Sequence, residues 1–118
     1  MNIMGAIKVK EINLERGSPT VAQAISKLVN ELATAKGAGF KSVILIHGYG
    51  SSGTGGAIKP GVLGKLREPM LSGMIKDFVN GENWEQQRLE FIKECPQLKE
   101  YENRIQQNPG VTVVLLKR

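Results

Sequence analysis

The chain has 118 residues, 41% of them hydrophobic, and a formal net charge of +5, which fits one globular domain with its own core. This composition argues against a disordered chain, and the single cysteine rules out a miniprotein held together by internal disulfides. No apolar run approaches the about 20 residues of a membrane span. The first ten residues lack the apolar core of a signal peptide, so we expect a cytoplasmic protein.

The apolar pattern predicts the element order β-α-β-α-(β)-α-β. We expect a first strand near residues 7–14, a helix from Ser18-Pro19 to Gly37, a central strand at 42–46, a helix around 63–74, helices within 84–107, and a last strand at 111–116. Strands joined by helical crossovers tend to be parallel. The predicted fold is therefore α/β, an α+β two-layer sandwich with a mixed, mostly parallel four-stranded sheet.

A glycine-rich segment follows the central strand. Residues 48–64 contain seven glycines, which predicts a long flexible loop, with about 51–62 as an insertion that is mobile without a ligand. Residues 36–81 also carry six basic and two acidic side chains. The excess of positive charge therefore coincides with the glycines, as expected for a protein with an anionic partner.

Three glycine-loop motifs fit this segment poorly. Residues 48–53 spell the dinucleotide pattern Gly-x-Gly-x-x-Gly, but no helix opens on the third glycine, and Glu68 does not end a strand. An α/β-hydrolase would need a later Gly-x-Ser-x-Gly and a second histidine. Residues 64–66, Gly-Lys-Leu, do not end a Walker loop.

Four short motifs occur in an order that resembles the small MutS-related (Smr) domain family. They are Thr20-Val21-Ala22-Gln23-Ala24-Ile25, His47-Gly48-Tyr49-Gly50, Gly64-Lys65-Leu66-Arg67 and Gly110-Val111-Thr112-Val113-Val114. The resemblance covers about residues 7–78 and 108–118. It implies a fold similar to the C-terminal domain of a bacterial translation initiation factor. It also implies binding to DNA or RNA, with endonuclease activity in some members.

The chain departs from the family pattern at three places. Leu14-Glu15-Arg16-Gly17-Ser18 lies over the family's Leu-Asp-Leu-His-Gly, so Glu15 replaces the aspartate and Gly17 the histidine; a shift of one residue instead matches Arg16-Gly17 to an Arg-Gly form. The segment at about 51–62 lengthens the loop between two motifs. The acidic helices at about 84–107 form a second insertion.

Two residues are candidates for catalysis. His47 is the one histidine, and its ordinary pKa suits proton transfer near neutral pH, although its ring could equally fix the loop by capping carbonyls. The resemblance favours the functional role. Glu15 is a candidate general base or metal ligand, with a surface carboxylate as the simpler interpretation.

The candidate phosphate-binding residues lie along the glycine-rich segment. Glycine backbone N–H groups can approach a phosphate, Tyr49 can stack on a base, and cations add charge-assisted contacts. Arg67 is the strongest candidate among the cations because we expect it at a helix start, where anions are favoured. The set is Gly48, Tyr49, Gly50, Lys59, Lys65 and Arg67.

The sequence contains no Cys/His cluster, so we expect no structural metal, and a divalent ion for cleavage is not evident. Three hypotheses remain open. The first is a nucleic-acid-binding domain that nicks or cleaves DNA or RNA, and the second is a non-catalytic module for nucleic acid or the ribosome. The third is a small-molecule phosphate-binding protein that uses the glycine-rich loop. We expect binding to nucleic acid to be independent of sequence.

Overall fold

A computed structural model of the chain describes residues 7–48 and 55–117. The strands are β1 (Val9–Asn13), β2 (Ser42–Ile46), β3 (Ile75–Asn80) and β4 (Val111–Leu116). The helices are α1 (Val21–Gly37), α2 (Gly55–Leu66), α3 (Trp84–Glu94) and the single turn α4 (Glu102–Ile105). Short 3-10 helices lie at Pro69–Leu71, Gly81–Asn83 and Pro96–Tyr101.

The four strands form one mixed sheet in the order β1-β2-β4-β3. This confirms the predicted α+β class with a mixed four-stranded sheet. The sheet is mostly parallel in strand direction, as predicted, because β1, β2 and β3 point the same way. Hydrogen-bonded pairing is parallel only between β1 and β2, since β4 pairs antiparallel with both β2 and β3. The last strand enters between β2 and β3, and strand order of this kind is not encoded in the period of the apolar residues.

Both faces of the sheet are covered by helical segments. On one face α1, α2 and the turn at Leu71 pack on side chains such as Val43 and Leu45. On the other face the segment from Trp84 to Ile105 packs on Ile44 and its neighbours. The two-layer expectation is therefore wrong, because the segment at 84–107 supplies a third layer through Trp84, Phe91, Leu98 and Ile105, all completely buried.

Helix α1 begins two residues later than predicted, because its N-cap is Thr20 and not Ser18. Thr20 is its N-cap, and its side chain accepts a hydrogen bond from the Gln23 backbone N–H while the Gln23 side chain accepts one from the Thr20 backbone N–H. This reciprocal pair is a capping box, which satisfies two otherwise unpaired backbone donors. The apolar stripe of the helix buries Ala24, Leu28 and Leu32 against the sheet.

The predicted glycine-rich loop is wrong from residue 55 onward, since Gly55–Leu66 is the helix α2. Ile58 and Val62, one turn apart, are fully buried in the core beneath α1. A Cβ at Gly61 would lie 2.9 Å from Val21 Cγ1, so the glycine lets α2 pack directly on α1. Tertiary packing thus outweighs low helix propensity. Residues 51–54 of the predicted insertion lie outside the described residues.

The helix predicted around residues 63–74 is also displaced. Helix α2 ends at Leu66, and β3 begins at Ile75. A register shift between Ile75 and Asp77 leaves Lys76 in a bulge of β3. Among the helices described, none is long and apolar enough to cross a membrane.

Candidate functional site

The end of the sheet at which β2 finishes holds the predicted catalytic residues, and we call it the histidine end. The backbone N–H groups of His47 and Gly48 both donate to the carbonyl of Gly110, each over 3.0 Å. Gly48 has φ +72°, a left-handed conformation that favours glycine. The turn after β2 is therefore held by the residue immediately before β4.

The His47 ring is completely buried and makes two hydrogen bonds. Its Nδ1 lies 2.8 Å from the Gly48 carbonyl oxygen, and its Nε2 lies 2.8 Å from Thr112 Oγ1. The Thr112 hydroxyl oxygen also lies 2.8 Å from Asn80 Oδ1. A polar chain thus runs from the end of β2 through β4 to the end of β3.

The hydrogen-bond directions in this polar network depend on the charge of His47. The Gly48 carbonyl can only accept, so Nδ1 carries a hydrogen, and the Nε2 of a neutral ring must then accept from the Thr112 hydroxyl. The Thr112 hydroxyl has one hydrogen, and with a neutral ring it donates that hydrogen to Nε2. Its oxygen can then only accept, so a neutral ring requires the side-chain amide nitrogen of Asn80 to face Thr112. A protonated ring instead donates from Nε2 to the Thr112 oxygen, which leaves the hydroxyl hydrogen to be donated to the amide oxygen of Asn80.

Burial lowers the pKa of His47 below its ordinary value of 6.5. The bond to the Gly48 carbonyl and the charge of Glu82 oppose this shift, while the charge of Lys59 adds to it. Desolvation is the largest of these influences, so the ring is neutral near pH 7. A neutral, buried imidazole with both nitrogens occupied can fix the strand ends; proton transfer to a substrate would require it to leave these contacts.

Glu15 lies against the same turn. The Leu14 N–H donates to the Ile46 carbonyl over 2.7 Å, which extends the pairing of β1 with β2. The Asn13 side chain accepts from the backbone N–H groups of Glu15 and Arg16, at 3.0 and 2.8 Å. The Glu15 carboxylate then lies where a Cβ on Gly48 would stand. The structure thus brings Glu15 beside the His47-Gly48 segment, with Arg16 exposed next to it.

Lys59 also belongs to the histidine end, but it is not on a mobile loop as expected. It lies in α2 and donates to both carboxylate oxygens of Glu82, at 3.0 and 2.9 Å. Its charge is close enough to His47 to lower that pKa. A phosphate would have to compete with Glu82 for this lysine.

Lys65 and Arg67 lie at the other end of α2, away from His47. Lys65 pairs with Glu68 at 3.0 Å. Arg67 is exposed and lies over the ring of Phe78, 5.6 Å from its centre. The expectation that Arg67 opens a helix is wrong, since it follows the last residue of α2. A helix C-terminus carries partial negative charge, so the physical reason for placing a phosphate there is lost.

The structure therefore divides the predicted site residues into two groups. His47, Gly48, Glu15 and Lys59 share the histidine end, while Lys65 and Arg67 do not. The predicted residues Tyr49 and Gly50 lie outside the described residues. Within 7–48 and 55–117 no group of three histidine, cysteine or acidic side chains could hold a metal ion.

Sequence reasoning missed Thr112, which contacts the imidazole, and Asn80, which contacts Thr112. Thr112 is fully buried in β4, where every neighbour in the strand is apolar. A lone hydroxyl in such a strand signals a buried hydrogen-bond partner. Asn80 offered no comparable signal, because it comes at the end of its strand, where turn residues are common.

Comparisons with known proteins agree with this geometry. A family model described as the Smr domain matches residues 16–117. The structure is similar to the crystal structure of the Smr domain of Thermus thermophilus MutS2, with a TM-score of 0.57 and 25% sequence identity, over 92% of this chain and 99% of that chain. No curated protein matches the chain. The family-model match spans most of the sequence, so the chain belongs to the Smr domain family.

Proposed function

We propose that this Smr domain binds nucleic acid through its phosphate backbone, without reading base sequence. The observation that carries the proposal is the meeting of two motif segments at the histidine end, where exposed Arg16 and Glu15 adjoin the turn at Gly48. The first turn of α2 contains no acidic residue, and a helix N-terminus attracts phosphate. The net charge of +5 supports the same ligand class.

The small-molecule hypothesis is less well supported, because much of the loop on which it depended is the helix Gly55–Leu66. The non-catalytic form of the nucleic-acid hypothesis gains support from His47. Its ring is buried, and both nitrogens hold the turn together. In this proposal His47 positions the binding surface and does not touch the ligand.

A binding titration tests the proposal. Labelled duplex DNA and structured RNA of two unrelated sequences are titrated at about 50 and 200 mM salt, the range over which phosphate contacts weaken markedly. We expect similar affinities for the two sequences and a steep loss at the higher salt. Absence of binding at the lower salt, or a strong preference for one sequence, would contradict the proposal.

A second candidate function is phosphodiester hydrolysis, and one observation favours it. The carboxylate of Glu15 is exposed beside the turn at Gly48, and within the described residues it forms no ion pair. As general base it would take a proton from water; the water oxygen would bond to phosphorus, and the leaving oxygen would take a proton from solvent.

Supercoiled DNA provides the test for this candidate, incubated with and without magnesium. We expect wild-type protein to relax the DNA and Glu15→Gln to leave it supercoiled. His47→Gln, which keeps hydrogen-bonding groups at the turn, would retain activity. Loss in His47→Gln with full activity in Glu15→Gln would instead make His47 the catalytic residue.

A further inference from the structure

The opposite end of the sheet, which we call the lysine end, has one lysine in or directly beside the end of each strand. Lys8 precedes β1, Lys41 precedes β2, Lys117 follows β4, and Lys76 lies in the bulge of β3. Backbone hydrogen bonds hold these positions in a row. The Lys41 N–H donates to the Lys8 carbonyl, the Leu116 N–H to the Lys41 carbonyl, and the Lys117 N–H to the Met74 carbonyl, at 2.8 to 2.9 Å.

The sheet geometry fixes the length of this row. Neighbouring strands lie about 4.8 Å apart, so four lysines in the order β1-β2-β4-β3 span three intervals, or about 14 Å. Successive phosphates of one strand of duplex DNA rise about 3.4 Å along the axis. The row is therefore longer than the axial rise between neighbouring phosphates, so more than one phosphate of a strand can lie within reach of it.

Among the described residues, most lysines at the lysine end have no carboxylate partner. Across residues 7–48 and 55–117, no carboxylate forms an ion pair with Lys8, Lys41 or Lys117, nor with the adjacent Lys36 at the end of α1. Lys76 alone in the row is paired, with Glu94 at 2.7 Å. Like charges held in a row repel one another, so an anion that bridges them is attracted strongly.

The surface at this end is also concave. A cleft of about 320 Å³ lies between the ends of β2, β3 and β4, and a second of about 280 Å³ lies beside the end of α1. The two clefts share Lys41, Leu116 and Lys117. The first cleft is lined by three lysines and by the carboxylate of Glu94, so its charged lining is mainly cationic.

We propose that the lysine end is a separate binding surface for the phosphate backbone of nucleic acid. Lysine is a flexible point charge, and its contacts to phosphate carry no sequence information, so this surface contributes affinity and not sequence preference. The inference rests on the proposed function for the identity of the polyanion. It adds that the main electrostatic contact lies at the end of the sheet away from His47, about 17 Å along strands of five or six residues.

Three charge reversals test the location. Lys117→Glu removes a lysine from the row, Lys99→Glu makes the same change at an exposed lysine that lines neither cleft, and Arg16→Glu probes the histidine end. Each variant is titrated with labelled duplex DNA as a function of salt, beside a melting curve. We expect Lys117→Glu to weaken binding about tenfold and to reduce the salt slope by about one, with less than threefold loss in Lys99→Glu.

A fourth variant should act in the opposite direction. Glu94→Gln removes the carboxylate that pairs with Lys76, so it should tighten binding about threefold, a gain that partial misfolding would not produce. Equal losses in Lys117→Glu and Lys99→Glu would show that only net charge matters and would overturn the inference. A loss confined to Arg16→Glu would overturn it while leaving the proposed function intact.

The identity of the polyanion is tested separately with vesicles that contain phosphatidylserine. Vesicle binding that depends on Lys117, without DNA or RNA binding, would make the lysine end a membrane contact and would overturn both proposals. Nucleic-acid binding that depends on Lys117 supports both.

Discussion

The two ends of the sheet use polar groups in opposite ways. At the histidine end the imidazole is buried and its bonds run through Thr112 to Asn80, and Lys59 is paired with Glu82. At the lysine end no carboxylate of the described residues forms an ion pair with Lys8, Lys41 or Lys117, and Glu94, which pairs with Lys76, is the acidic side chain that lines the cleft beside Lys41 and Lys117. Satisfied polar groups specify geometry, whereas unsatisfied like charges create a field. The buried network of the first end should therefore govern stability, and the second end should add a further electrostatic contribution to association.

The largest expected effect is on stability at the histidine end. His47→Ala should lower the free energy of unfolding by about 3 kcal/mol, because it leaves a cavity and deprives buried Thr112 of a partner. Urea unfolding measures this, with Lys41→Ala as the control from the other end. If the two variants lose equal stability, the contrast between the ends is wrong.

A smaller loss should follow from Gly48→Ala, about 1–2 kcal/mol. The residue has φ +72°, and an added Cβ would collide with the Glu15 carboxylate. Combining it with Glu15→Ala separates the two causes, because the double variant retains only the backbone strain. A full rescue of stability in the double variant would show that φ contributes nothing.

The pH dependence of stability should reveal the buried ring. The pKa of His47 is lowered in the folded state, so as pH falls through about 6.5 the unfolded chain binds a proton that the folded chain does not. The free energy of unfolding should fall in this window by at most about 1.4 kcal/mol per pH unit.

His47→Gln should remove the pH slope above pH 5. Glu94 and Glu102, whose pKa values are lowered chiefly by Lys76 and Arg88, contribute stability that is lost only at more acidic pH. Urea unfolding at several pH values measures both windows. An unchanged slope in His47→Gln would mean that the ring is not the group that titrates.

The smallest effect on stability should come from the lysine end. The triple variant Lys8→Gln, Lys41→Gln and Lys117→Gln should change the free energy of unfolding by no more than about 0.5 kcal/mol, as is usual for surface substitutions. Relief of repulsion should make the change stabilising at low salt, and the gain should disappear at high salt. A large loss would show that these lysines contribute to the fold.

Local features of the fold were predictable from sequence. The apolar stripe of α1 and the continuous apolar run of β2 are each defined by neighbouring residues, and both appear as expected, whereas the helix cap is Thr20 and not the predicted Ser18. Helix α2 was not predictable in this way, because its glycines indicate a loop. Its stability comes from burying Ile58 and Val62 against a helix far away in the sequence.

The candidate site was predictable only where it depends on local sequence. The resemblance placed His47 and Glu15 at neighbouring strand ends, but the burial of His47 depends on Thr112, which reaches it only because β4 lies beside β2. The lysine end depends entirely on strand order. Its residues are scattered through the sequence at positions 8, 41, 76 and 117, and only the sheet brings them into a row.

The position of β4 has a consequence for synthesis on the ribosome. Strands β1 and β2 can pair as soon as both have emerged, but β3 has no partner in the sheet until residues 111–116 have been made. Until then β2 and β3 each expose an unpaired side, which can join to another chain. Completion of the domain therefore waits for the strand that is translated last of the four, and a nascent chain paused before it would be prone to aggregation.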